Sequence, residues 1–109
     1  MQQFRILEYL EDCRSFYAEW FNSLDAVPAA RIDRYVRRME TGNFGDSKSV
    51  GEGVRELRIN FGPGYRVYYG LDKGRVVLLL GGGTKRTQSQ DIKKAINRWT
   101  AYKRRKKEE

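Results

Sequence analysis

The sequence predicts an α+β fold in the order strand, helix, helix, strand, strand, strand, helix. Its small, mostly antiparallel sheet carries two helices packed on one face. Three observations lead there. Residues 54–71 alternate apolar and polar with period two, broken by turn chemistry at NFGPG (60–64), and a second turn at Asp72-Lys73-Gly74 leads to an apolar run at 75–80. Three other stretches repeat their apolar residues at helical spacing. A length of 109 residues limits the chain to one domain, 1–109, with a basic tail from about residue 103.

Residues 3–10 (QFRILEYL) read as the first strand. From Glu11 the period changes. Cys13, Phe16, Tyr17, Trp20, Phe21 and Leu24 form a wide helical stripe, the spacing of a core face. Asp25 can cap a second helix, with Pro28 tolerated in its first turn. Ala29, Ile32, Val36 and Met39 are its apolar stripe, and Arg31, Arg34, Arg37 and Arg38 load its outer surface. Gly42 stops it. Residues 41–53 read as a polar, glycine-rich loop.

Strands follow at 54–60, 65–71 and 75–80. The last, RVVLLL, is almost wholly apolar and therefore central, covered on both faces. The Gly81-Gly82-Gly83 triplet reads as a break that delivers Lys85 and Arg86. Thr87 and Gln90 have capping-box spacing. Ile92, Ala95, Ile96, Trp99 and Tyr102 then mark a third amphipathic helix.

Net charge is +8, from 22 basic and 14 acidic residues, and the sequence pI is about 9.8. That balance suits a nucleic acid, an acidic protein or an anionic surface. Glu108 and Glu109 dilute the membrane argument. One cysteine, Cys13, excludes an internal disulfide, and the lack of histidine argues against a zinc site. No metal and no cofactor are expected. Any general base must be Glu, Asp, Lys, Tyr or water. No apolar run approaches a membrane span and no signal-peptide pattern stands at the N-terminus, so the expected compartment is the cytoplasm.

Alternation also sorts the hairpin's side chains. Glu56 and Arg58 share a face with Arg66 and Tyr68. Folding the hairpin symmetrically about Gly62 puts Arg58 opposite Arg66, and Glu56 opposite Tyr68. Opposed arginines repel. Two readings resolve that conflict: a site for a phosphate, or a solvated face on which Glu56 bridges both arginines. Lys85 is at the rim in either case.

GEGVRELRINFGPGYRVYY, VVLLLGGGTKRTQ and DIKKAINRW together resemble the RelE/ParE superfamily of toxin–antitoxin toxins. The resemblance is narrower to its addiction module killer protein branch, HigB-like and phage Gp49-like, and covers nearly the whole chain. It implies a cytosolic toxin neutralised by a cognate antitoxin. That antitoxin usually carries a helix-turn-helix, and operator DNA is reached only through the complex. The implied activity is metal-independent cleavage of mRNA on the ribosome, without a membrane partner. Poisoning of DNA gyrase and simple nucleic-acid binding are the alternatives.

On that resemblance Arg66, in GYRVYY, matches an arginine used by RNA-cleaving relatives. Arg58 and Lys85 are its partners. Glu56 is either the base or the residue that orients Arg66. Tyr68 either stacks on a base or donates a proton. Arg86, Arg55 and Lys48 are the surrounding RNA contacts. Some RNA-cleaving relatives use histidines, which this chain lacks. Others use a tyrosine near the C-terminus, where Tyr102 sits on an apolar stripe that suits packing.

Overall fold

A computed structural model describes residues 3–109; residues 1 and 2 of the expected domain lie outside the described residues. Its principal sheet has five strands in the order β1-β7-β6-β5-β4: β1 Arg5–Glu8, β4 Asp46–Gly51, β5 Val54–Ile59, β6 Tyr65–Asp72 and β7 Val76–Thr84. β1 runs parallel to β7, and the other neighbours are antiparallel. A short hairpin, β2 Leu10–Glu11 with β3 Arg14–Ser15, stands apart from this sheet. The helices are α1 Phe16–Asn22, α2 Ala26–Arg38 and α3 Gln88–Glu108.

As the apolar stripes required, α1 and α2 pack on one face. Tyr17, Ile32, Val36 and Met39 meet Leu57, Ile59, Val67, Tyr69, Val77 and Leu79 there. The other face lies under α3, where Ala95 and Trp99 meet Val54, Tyr68, Leu78 and Leu80. Full burial of 77–80 follows from this double cover.

Three expectations are corrected. The first helix does not begin at Glu11. Asp12 and Cys13 take φ of 52° and 64°, which turns the chain into the β2–β3 hairpin and leaves Cys13 exposed rather than on a helical face. Ser15 then caps α1, its Oγ accepting from the Ala18 N–H at 3.0 Å. The loop at 41–53 contains β4, an edge strand with mostly exposed polar side chains. The glycine triplet does not break the last strand, which continues to Thr84.

The glycines serve close approach. Trp20 of α1 lies directly on Gly82, leaving no room for a Cβ, and Trp99 of α3 lies likewise on Gly70. The β6–β7 register shifts between Tyr68, which pairs with Gly81, and Tyr69, which pairs with Leu79. Leu80 is thus the extra residue of a bulge on β7, next to Gly81 with φ of 154°.

At the far end of α3, the Tyr102 hydroxyl donates to Asp72 Oδ2 at 2.6 Å and Lys106 Nζ donates to the same oxygen at 2.9 Å. The two hydrogen bonds hold the Asp72 carboxyl below the usual aspartate range, the Tyr102 bond contributing most. A carboxyl lowered by folding adds stability that is complete above the unfolded value of about 3.9 and is lost as pH falls through the folded one. Asp72→Asn should therefore flatten the acid limb of melting temperature against pH below about pH 4. An unchanged limb would show that the contact adds nothing.

Candidate functional site

The β5–β6 hairpin folds in the register its alternation dictates. Arg58 pairs with Arg66, and Glu56 with Tyr68. Both rows continue across the sheet. β4 adds Asp46 beside Arg58 and Lys48 beside Glu56, while β7 adds Gly83 beside Arg66 and Gly81 beside Tyr68. The turn at the end of the hairpin is held by Arg31 of α2, whose guanidinium lies 4.1 Å from the Phe61 ring centroid.

The two rows differ in cover. Glu56 is completely buried and Tyr68 is 1% exposed, because the start of α3 closes over them. Gln88 Nε2, on the first residue of α3, donates to Glu56 Oε2 at 2.7 Å. Arg58 and Arg66 are half-buried and lie toward the open end. Asp46 neutralises one of them: Arg58 Nη2 is 2.9 Å from Asp46 Oδ1. Arg66 has no ion pair among the described residues. Of the two readings of the opposed arginines, the one in which Glu56 bridges both is not what forms: Asp46 of β4 pairs with Arg58 instead.

Among the described residues, the buried side-chain nitrogens and oxygens that lack a hydrogen-bond partner are Glu56 Oε1, Arg58 Nε, Arg66 Nε and Tyr68 Oη. All four belong to the same two rows. Buried polar groups are normally satisfied, so such a concentration needs an explanation. Burial raises the Tyr68 hydroxyl above the ordinary phenol range, and the negative charges of Glu56 and Asp91 raise it further. The contact between Tyr68 and Glu56 adds to this shift while falling short of full hydrogen-bond geometry.

The rim is set by the end of β7. The Lys85 N–H donates to the Gly64 carbonyl at 2.9 Å, which pins the start of α3 to the hairpin turn. The Lys85 side chain is exposed beside that turn. Arg86 borders a shallow depression of about 430 Å³ with Thr87, Ser89, Gln90 and Lys93. The Thr87 hydroxyl donates to Asp91 Oδ2, and both lie against Gly83. The capping box forms at Thr84–Thr87, three residues before the expected one, because a 3₁₀ turn over Lys85–Thr87 precedes α3.

Arg66, Arg58, Glu56 and Tyr68 therefore come together, with Lys85 and Lys48 at the borders of their rows. Arg55 does not join them. It lies on the opposite face of β5, where its Nε donates to the Tyr69 hydroxyl at 3.4 Å. Tyr102 is tied to Asp72 and stacks on Trp99 at 5.5 Å, so it packs rather than lining this site. Gln88 and Asp46 escape the sequence reading. Recognising β4 as a strand would have put Asp46 beside Arg58, whereas nothing short of the docked helix reveals Gln88 beside Glu56.

The buried carboxylate invites a test. Burying a polar group without its full set of partners costs about 1–3 kcal/mol. Glu56→Gln removes the charge, keeps the shape and leaves an oxygen for Gln88. It should melt at the same or a higher temperature than the wild type while losing function. A lower melting temperature would make the carboxylate a structural element.

The family model for "Phage derived protein Gp49-like (DUF891)" matches residues 19–104, well over half the chain. This chain belongs to the Gp49-like family. An uncharacterized Haemophilus influenzae protein is 48% identical to it over 80 residues, 72% of this chain and 81% of the relative. Among solved structures, a mutant of the E. coli toxin RelE in the free state superposes with a TM-score of 0.67. That match covers 90% of the Gp49-like chain and 98% of the RelE chain at 15% identity, which establishes a shared RelE-like fold. No described helix of this Gp49-like chain is long and apolar enough to cross a membrane.

Proposed function

We propose that this chain is the toxin of a type II toxin–antitoxin pair, a metal-independent endonuclease that cuts mRNA on the ribosome in the cytoplasm and is neutralised by a cognate antitoxin. The carrying observation is the opposed Arg58–Arg66 pair above Glu56 and Tyr68, where every partnerless buried polar side-chain atom among the described residues is gathered. Arg66 presents an uncompensated guanidinium, and Arg58, although paired with Asp46, adds further donors beside it, as a phosphate requires. The RelE-like fold supports the reading, since the solved protein of that fold is a toxin.

In this mechanism the 2′-oxygen of one nucleotide attacks its own 3′-phosphate and the bond to the next 5′-oxygen breaks. A 2′,3′-cyclic phosphate and a 5′-hydroxyl result. Arg66 and Arg58 hold the negative charge that grows on the phosphate oxygens. Lys85, an exposed ammonium at the rim, protonates the leaving 5′-oxygen, and water takes the 2′ proton. Complete burial favours a positioning role for Glu56 over the base role. Its free Oε1 and the Tyr68 hydroxyl form a buried polar row next to Arg66, whose charge acts on Tyr68. Arg86 and Lys48 contact the flanking RNA, while Arg55 faces away from this path.

Induced expression followed by mapping of RNA 5′ ends tests this directly. New 5′-hydroxyl ends within translated mRNA, lost when ribosomes are removed, are expected. DNA damage without new ends would instead indicate gyrase poisoning. Salt-sensitive RNA binding with neither cuts nor growth arrest would reduce the chain to a binding module.

A further inference from the structure

A second surface lies at the opposite end of β6 from the arginine pair. β5 begins at Val54, opposite Gly70, so it leaves Leu71 and Asp72 without a β5 neighbour. α3 passes over this gap. Together they enclose a groove of about 430 Å³ whose walls include Leu71, Trp99 and Tyr102. Arg66 and Asp72 lie six residue steps apart along β6, on the order of 20 Å. An RNA backbone seated on Arg66 does not need this groove.

The groove's own acid is already occupied. Asp72 binds Tyr102 and Lys106. Lys73, Lys103 and Lys107 also border the groove and have no carboxylate partner among the described residues. Lys103 Nζ lies 5.6 Å from the Trp99 ring centroid. A second depression of about 400 Å³ shares Lys103 and Lys107 and adds Thr100 and Arg104, which extends the cationic border along α3.

We infer that this groove docks an acidic segment of the antitoxin, with an apolar side chain inserted beside Trp99 and Tyr102 and carboxylates set against Lys73, Lys103 and Lys107. The inference rests on the toxin–antitoxin reading. Charge complementarity selects an acidic occupant, since three unpaired ammonium groups ring an apolar wall. Ring geometry selects a peptide over RNA. Trp99 is only 6% exposed and Tyr102 is stacked on it, so no free aromatic face is offered to a base. The partner would then hold the toxin by a surface remote from its arginines.

The test uses the full chain and the product of the reading frame beside its own, co-expressed and purified. Lys103→Glu/Lys107→Glu, both at exposed helical positions, should fold normally and keep growth inhibition when expressed alone. Its affinity for the neighbour should fall on the order of 10-fold or more per reversed charge, and co-expression should no longer restore growth. Arg66→Ala should bind the neighbour as tightly as wild type does. Equal binding and rescue by wild type and the reversed chain overturn the groove alone. Failure of the neighbour to bind or rescue the wild type overturns the toxin–antitoxin reading and the groove with it. Loss of toxicity with unchanged binding assigns these lysines to RNA and overturns the proposal.

Discussion

Arg66→Ala is expected to abolish growth inhibition and leave a folded, soluble protein. The guanidinium is half-buried, faces Arg58 across the hairpin and has no ion pair among the described residues. Removing it relieves a like-charge contact across the strands, so the fold loses little stability. The reaction loses a preorganised donor at the charge that develops on phosphate, an effect of roughly 10²- to 10³-fold in rate. Arg66→Lys keeps the charge but not the planar fork, so it should recover only part of the activity. Growth curves after induction, paired with thermal melts of the purified variants, check both halves. A folded Arg66→Ala protein of full toxicity would remove the arginine pair from the mechanism.

Trp99→Ala is expected to bring the largest loss of stability. Trp99 is 6% exposed, lies on Gly70, reaches Gly53 and stacks with Tyr102. Removing a buried ring of this size costs about 3–5 kcal/mol, a large part of the roughly 5–15 kcal/mol that holds a domain together. The melting temperature should fall on the order of 10–20 °C. Gly70→Ala approaches the same contact from the sheet, since its new Cβ would stand 2.5 Å from the indole carbons. That variant should lose stability by overpacking, about 1–3 kcal/mol. The double variant decides whether one contact is responsible, because the new methyl would occupy space the ring has vacated. Its loss should be smaller than the sum of the single losses. Strict additivity would mean that α3 is held elsewhere.

The arginine pair was legible in the sequence because a hairpin obeys local rules. NFGPG fixes the turn, and alternation fixes which residues meet across it, so Arg58–Arg66 and Glu56–Tyr68 follow from counting. What α3 covers was not legible, since helix docking depends on residues far apart in the chain. Glu56 and Tyr68 look like open-face residues until Gln88 is brought over them from 32 positions away. β4 was hidden for another reason. An edge strand needs only one partner and half a buried face, so Asp46–Gly51 carries too few apolar residues to announce itself. Glycines 81–83 misled because their lack of side chains is used for contact with Trp20, Asp91 and Arg98 rather than for turning. Cys13 falls in the helical period by coincidence, overruled by two left-handed residues.

The parallel pairing of β1 with β7 gives assembly a timetable. Arg5 meets Val76 and Glu8 meets Leu79, so the first described strand waits for about seventy further residues to be synthesised before it finds its neighbour. The β5–β6 hairpin needs no such wait, since its partners are close in sequence and local loops close quickly. During synthesis the two arginines can meet early, whereas Lys85, Gln88 and the helix that buries Glu56 come last. A chain interrupted before α3 would hold its two cations, with Glu56 and Tyr68 beside them, but without the helix that buries that row or the Gln88 contact. The order of translation thus separates the making of the charged pair from the completion of the site.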